Sequence, residues 1–82
     1  MILFYVYMLK CSDNTLYTGY TVNLEARINS HNKGKASKYT RGRLPVELVY
    51  YEELSSKSEA LKRECAIKKL TRDEKLELIK RS

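Results

Sequence analysis

Residues 2–20, ILFYVYMLKCSDNTLYTGY, decide how this chain folds. Ile2 to Lys10 and Thr15 to Tyr20 are rich in β-branched and aromatic residues, the side chains that suit a pleated, half-buried surface. Between them, Cys11-Ser12-Asp13-Asn14 is turn chemistry. Asp and Asn hydrogen-bond their own backbone and tolerate left-handed geometry. The stretch therefore predicts a β-hairpin, and the loop sets its register. With Ser12 to Asn14 as the loop, Leu9 lies opposite Tyr17 and Tyr7 opposite Gly19. Tyr7 and Tyr17 then sit diagonally on one face, within aromatic reach of each other. Gly19 leaves room over Tyr7. A two-residue loop would send the two phenols to opposite faces.

Beyond the hairpin, Asn23 caps a helix from Leu24 to about Asn32, with Glu25 near the positive end of its dipole. Gly34 is a natural stop. Leu24 and Ile28 are spaced to face a core, while Arg27 and His31, also four apart, share a second face. Lys33 to Leu44 reads as a basic loop carrying Lys33, Lys35, Lys38, Tyr39, Arg41 and Arg43. Pro45 opens a third strand, Val46 to Leu54. Ser56 with Glu59 and Thr71 with Glu74 are capping boxes. They predict helices over about Lys57–Leu70 and from Arg72 onward, the last packed by Leu76 and Ile79. The order is ββαβαα. Hairpin strands with segregated helices read as α+β, a small, largely antiparallel sheet with helices covering it.

With 82 residues, the span 1–82 is one domain at most. A domain of this size buries only about 60% of the surface its unfolded chain exposes, so a groove is a more natural site than a deep pocket. The net charge of +6 points to a polyanionic partner such as nucleic acid. Cys11 and Cys65 belong to no Cys-x-x-Cys or Cys/His cluster, which argues against structural zinc and for free thiols in a reducing cytoplasm. The apolar run from Met1 to Leu9 is too short to span a bilayer and lacks the leader and cleavage site of a signal peptide. The expectation is a cytoplasmic chain without a membrane.

Several residues carry candidate chemistry. Tyr7 and Tyr17 are either ordinary sheet aromatics or phenols that act on a water. An unperturbed tyrosine titrates near pH ~10, so a working phenolate needs help from its surroundings. Arg27 is either a solvated helix residue or a planar fork for phosphate. His31 is the chain's one histidine and is able to relay a proton near neutral pH. Glu64 falls among Ala60, Leu61 and Ile67 in an apolar helical stripe, where a carboxylate must be paired, protonated or bound to a cation. A lysine or arginine partner and a Mg²⁺ ion satisfy that requirement equally well. The Lys33–Arg43 loop suits contact with a nucleic-acid backbone, with Tyr39 available for stacking. No base-reading motif accompanies it.

Taken together, these residues resemble the GIY-YIG nuclease domain. The likeness runs from Phe4 to about Lys75. Tyr5-Val6-Tyr7 resembles the family's first triplet and Tyr17-Thr18-Gly19 its second, with Gly19 as the motif glycine. Arg27, His31 and Glu64 match the helical Arg, the His-or-Tyr one turn later and the metal-binding Glu. Size places the chain with the small stand-alone bacterial members. The resemblance implies a three-stranded antiparallel sheet with flanking helices and hydrolysis of DNA phosphodiesters with Mg²⁺ or Mn²⁺. It implies that Tyr7 or Tyr17 activates water with help from His31, that Arg27 stabilises the phosphoryl group, and that Glu64 holds the metal. The sequence departs from the pattern in four ways. Tyr5 replaces a Gly, Thr18 replaces an Ile, Tyr20 stands where some members carry Lys, and no Asn follows Glu64. The leading expectation is a DNA endonuclease or nickase in repair or processing, acting as a monomer, with RNA left open as substrate. The alternatives are a non-catalytic nucleic-acid-binding module on the same scaffold and a nuclease subunit that needs a partner protein.

Overall fold

The computed structural model describes residues 2–81. Strand β1 (Phe4–Lys10) and strand β2 (Leu16–Thr21) form the hairpin, followed by α1 (Leu24–Asn32), α2 (Lys38–Arg41), β3 (Glu47–Leu54), α3 (Lys57–Lys68) and α4 (Arg72–Arg81). The sheet is antiparallel throughout and ordered β2-β1-β3. The α+β expectation holds, with one addition. The segment read as a continuous loop from Lys33 to Leu44 contains the short helix α2, so four helices flank the sheet and the order becomes ββααβαα. Ser37 caps α2 by accepting from the Tyr39 N–H at 3.1 Å. A single turn is too short for hydrophobic periodicity to mark it.

The hairpin register is the expected one, with Tyr7 opposite Gly19 and Leu9 opposite Tyr17. Asn14 supplies the left-handed residue of the turn at φ 68°. Strand β1 lies between two others and is covered on both faces. Val6, Tyr7, Met8 and Leu9 are consequently all buried, a continuous run rather than an alternating one. Val6 and Met8 pack with Ala60 and Ile67 of α3 on one face. Tyr7, Leu9, Cys11 and Val46 pack with Leu24 and Ile28 of α1 on the other.

The caps explain where elements begin and end. Asn23 Oδ1 accepts from the Ala26 N–H at 3.1 Å to open α1, and Gly34, at φ 75°, turns the chain away after it. Val46 does not join β3, because the Asn32 side chain takes both its N–H, at 2.8 Å, and its carbonyl, at 3.2 Å. Thr71 and Glu74 form both arms of a capping box. At α3 only the Ser56 arm forms, and Glu59 takes the Ser55 hydroxyl instead. On α4 the half-buried face is Lys75, Leu78 and Ile79, spaced i, i+3, i+4, and Leu76 is turned outward. The expected anchor Leu76 is thus replaced by Leu78. No helix among the described residues is long and apolar enough to cross a membrane.

Candidate active site

A shallow cleft of about 450 Å³ lies at the β2 edge of the sheet, where α1 and α3 approach from opposite faces. Tyr7 and Tyr17 line it from the hairpin, Arg27 from α1, and Glu64 and Lys57 from α3. Gly19 lies between the phenols and is essential to the shape. A Cβ there would sit 2.7 Å from Tyr7 Oη and 3.2 Å from Tyr17 Cε2. The Tyr7 ring therefore lies across the bare backbone of β2 and brings its hydroxyl to the sheet edge. The two rings are tilted at 43° with centroids 6.4 Å apart.

His31 does not line the cleft. It is fully buried behind Tyr7, with Nε2 3.0 Å from Tyr7 Oη and Nδ1 2.8 Å from Thr40 Oγ1. Arg27 and His31, expected on one helical face, differ in exposure. One turn of α1 carries the chain from the open sheet edge to a position beneath α2, so Arg27 is exposed and His31 is enclosed. The hydrogen bonds assign the protons. Thr40 Oγ1 donates to the Ser37 carbonyl at 3.4 Å, so it accepts from His31 Nδ1–H. Nε2 is then the acceptor, and the Tyr7 hydroxyl donates to it. Burial pushes the Tyr7 phenol well above its ordinary value. The neighbouring Tyr17 adds to the rise, Arg27 opposes it and Glu64 reinforces it. Burial, and secondarily the Arg27 charge, lowers the His31 pKa below 6.5. Both groups are therefore neutral at pH 7.

Glu64 is mostly buried, with 17% of its side chain exposed, and its one ion-pair partner among the described residues is Lys68 at 3.4 Å, one helical turn on. A helical i, i+4 pair with a largely exposed lysine contributes about 0.3–0.5 kcal/mol, too little to hold a carboxylate against a divalent ion. Among the described residues no three His, Cys, Asp or Glu side chains gather in a metal-binding group. One carboxylate beside space for water and phosphate is a donor set that fits Mg²⁺ or Mn²⁺ and does not fit structural zinc. Cys11 and Cys65 are both free thiols, the first buried and the second exposed.

The basic segment folds over the hairpin turn. The Arg43 carbonyl accepts from the Ser12 N–H at 2.8 Å, and Arg43 Nε donates to Asp13 at 2.9 Å. Arg43 also lies 4.2 Å over the Tyr39 ring, whose centroid is 5.8 Å from that of Tyr17. Arg43 and Tyr39 are thereby engaged within the fold. Lys33, Lys35, Lys38 and Arg41 have no salt bridge among the described residues.

Two residues of this region went unread in the sequence. Lys57 is seven positions before Glu64, two helical turns, and that spacing was available as a signal. Thr40 carried no signal, because its partner His31 is reached only through the folding of α2 onto α1.

The family model of the GIY-YIG catalytic domain matches residues 3–77. This chain belongs to the GIY-YIG family. A UPF0213 protein of Staphylococcus haemolyticus is 61% identical over 75 residues, 92% of each chain. One of Clostridium perfringens is 63% identical over 75 residues, 92% of this chain and 81% of that one. The solution NMR structure of a UPF0213 protein from Bacillus halodurans superposes with a TM-score of 0.63 at 44% identity, covering 96% of this chain and 84% of that one. The GIY-YIG chain thus sits among small bacterial relatives of nearly its own length.

Proposed function

We propose that this GIY-YIG domain is a divalent-metal-dependent endonuclease or nickase that hydrolyses a DNA phosphodiester in the cleft at the β2 edge. The observation that carries the reading is the meeting of Tyr7, Tyr17, Arg27, Lys57 and Glu64 around one open space. Arg27 and Lys57, both without an ion pair among the described residues, flank the position of a phosphate. They neutralise charge as it builds in the transition state. Lys57 also answers a departure in the motif, supplying a cation to the cleft that Tyr20 lines without one. Glu64 holds the divalent ion, which supplies Lewis-acid stabilisation of the phosphoryl and leaving oxygens when bound.

The Tyr7–His31 pair supplies the base. A buried phenol does not ionise unaided near neutral pH, but Tyr7 need not carry charge before the reaction. Its oxygen accepts the proton of an attacking water while its own proton passes to His31 Nε2 over the 3.0 Å bond. Thr40 then stabilises the imidazolium through Nδ1. His31 acts through Tyr7 and is a positioning and relay residue. Tyr17 packs against both rings and holds their geometry.

Purified protein incubated with nicked, flapped and single-stranded DNA, with and without Mg²⁺, tests the reading. Metal-dependent cleavage that vanishes in Glu64→Ala supports it. Equal cleavage by Glu64→Ala and wild type would overturn it.

One observation favours a second reading, a nucleic-acid-binding module without catalysis. Glu64 already has a partner in Lys68. Salt-sensitive binding with no metal-dependent cleavage of any substrate selects that reading.

A further inference from the structure

A second groove, of about 210 Å³, lies beyond the catalytic cleft and is lined by Thr15, Leu16, Tyr39, Arg72 and Lys75. Its charge is one-sided, with two cations and no carboxylate in the lining. Arg72 and Lys75 are three apart and share one face of α4. Asp73, next to Arg72, does not line the groove, and two other acids of α4 are occupied elsewhere. Glu74 bonds the Thr71 N–H, and Glu77 pairs with Arg81. Neither Arg72 nor Lys75 has a salt bridge among the described residues. The groove also adjoins the cleft. Tyr17 lines the cleft and Tyr39 lines the groove, and their rings are 5.8 Å apart, forming a shared wall. Arg43, bound to Asp13 and lying over Tyr39, braces that wall.

We propose that Arg72 and Lys75 form a second phosphate subsite, which holds the backbone of the nucleic-acid strand where it leaves the cleft past Tyr17 and Tyr39. The subsite rests on the nucleic-acid reading given above and extends it to α4, a helix that contributes nothing to the cleft. A polyanion running from Arg27 and Lys57 across the ring pair to Arg72 and Lys75 meets cations at both ends of its path. Backbone contact of this kind adds affinity without sequence preference. It lengthens the footprint that a small domain offers a substrate.

The test is fluorescence anisotropy with labelled single-stranded and 5′-flap oligonucleotides in EDTA, so that no cleavage interferes, repeated over a range of salt. The proteins are wild type, Arg72→Gln/Lys75→Gln, and Lys80→Gln as a control for lost charge on the same helix. Melting temperatures establish that each is folded. Losing two phosphate contacts lowers the slope of log K against log salt by about 1.4 for a single strand. The expected result is that loss in the double variant, with affinity about tenfold weaker at low salt, and a near-wild-type slope in Lys80→Gln. An unchanged slope in the double variant, or an equal loss in Lys80→Gln, overturns the subsite alone. Wild-type protein that binds none of the probes overturns both the subsite and the nucleic-acid reading.

Discussion

Helix α3 holds neighbouring residues, Arg63 and Glu64, on opposite flanks, and the two sides show what distinguishes a structural carboxylate from a usable one. Toward β3, Arg63 grips Glu52 with three contacts of 2.8–3.0 Å, and the Tyr50 hydroxyl donates to the same carboxylate. On the β2 side, Glu64 is paired among the described residues only with Lys68 of its own helix, at 3.4 Å. Glu52 and Glu64 are buried to nearly the same degree, with 21% and 17% of their side chains exposed. Burial therefore does not separate them. Bonding does: Glu52 has its lone pairs satisfied by a planar fork and a phenol, whereas Glu64 keeps acceptor capacity facing a cleft. Each flank also has a tyrosine, half-buried Tyr50 on one side and buried Tyr7 on the other. Tyr50 closes a saturated ion pair, and Tyr7 donates to a neutral imidazole that is able to take its proton.

The sharpest way to break this contrast is to neutralise each carboxylate in turn. Glu64→Gln should lose cleavage by roughly 10²–10³-fold or more while changing stability by less than about 0.5 kcal/mol. Glu52→Gln should keep its activity per folded molecule and lose about 1–3 kcal/mol, since Arg63 is left without its carboxylate. Steady-state nicking rates and chemical denaturation separate the two outcomes. The reverse pattern would exchange the roles assigned to them.

The tyrosines give the next effect. Tyr7→Phe should slow cleavage by about 10²-fold or more through loss of the relay. It should also cost about 1–3 kcal/mol, because His31 Nε2 loses its partner in a dry site. Tyr50→Phe should leave the rate alone. Parallel single-turnover assays of the two variants check this.

Gly19→Ala is a smaller perturbation of the same side. Its methyl would lie 2.7 Å from Tyr7 Oη, so the ring must move. A stability loss of about 1–3 kcal/mol and a shifted Tyr7 ring signal in NMR are expected.

The smallest effect is in pH. His31 titrates below 6.5 in the fold and near 6.5 in the unfolded chain. Between those values the unfolded chain binds more protons, so this stability is complete above about 6.5 and is lost as pH falls toward the folded value. The Glu52 contribution, from a carboxylate that Arg63 holds below 4.5, is lost only at more acid pH. Melting temperatures from pH 7 to 5 should fall in wild type and flatten over that window in His31→Gln.

Much of this arrangement was legible in the chain. Alternating aromatics and an Asn-containing loop fixed the register that puts Tyr7 over Gly19, because local turn geometry determines which face every later side chain takes. Glu64 was conspicuous because an acid in an apolar stripe demands a partner. The enclosure of His31 was not legible. It depends on α2, a four-residue helix without a periodic pattern, folding over α1 so that Thr40 meets the imidazole. Nor was the outward turn of Leu76 legible, since the stripe of Lys75, Leu78 and Ile79 differs from the expected one by a small rotation of α4, set by what lies beneath it.

Of the two equally buried carboxylates, Glu64 and not Glu52 is open to the cleft. Titration of Mn²⁺ into isotope-labelled protein, followed by NMR line broadening, tests it directly. Broadening is expected to centre on Glu64 and the cleft-facing signals of Tyr7 and Tyr17, to leave Glu52 and Arg63 sharp, and to disappear in Glu64→Gln. Broadening centred on Glu52, or unchanged by Glu64→Gln, would contradict it.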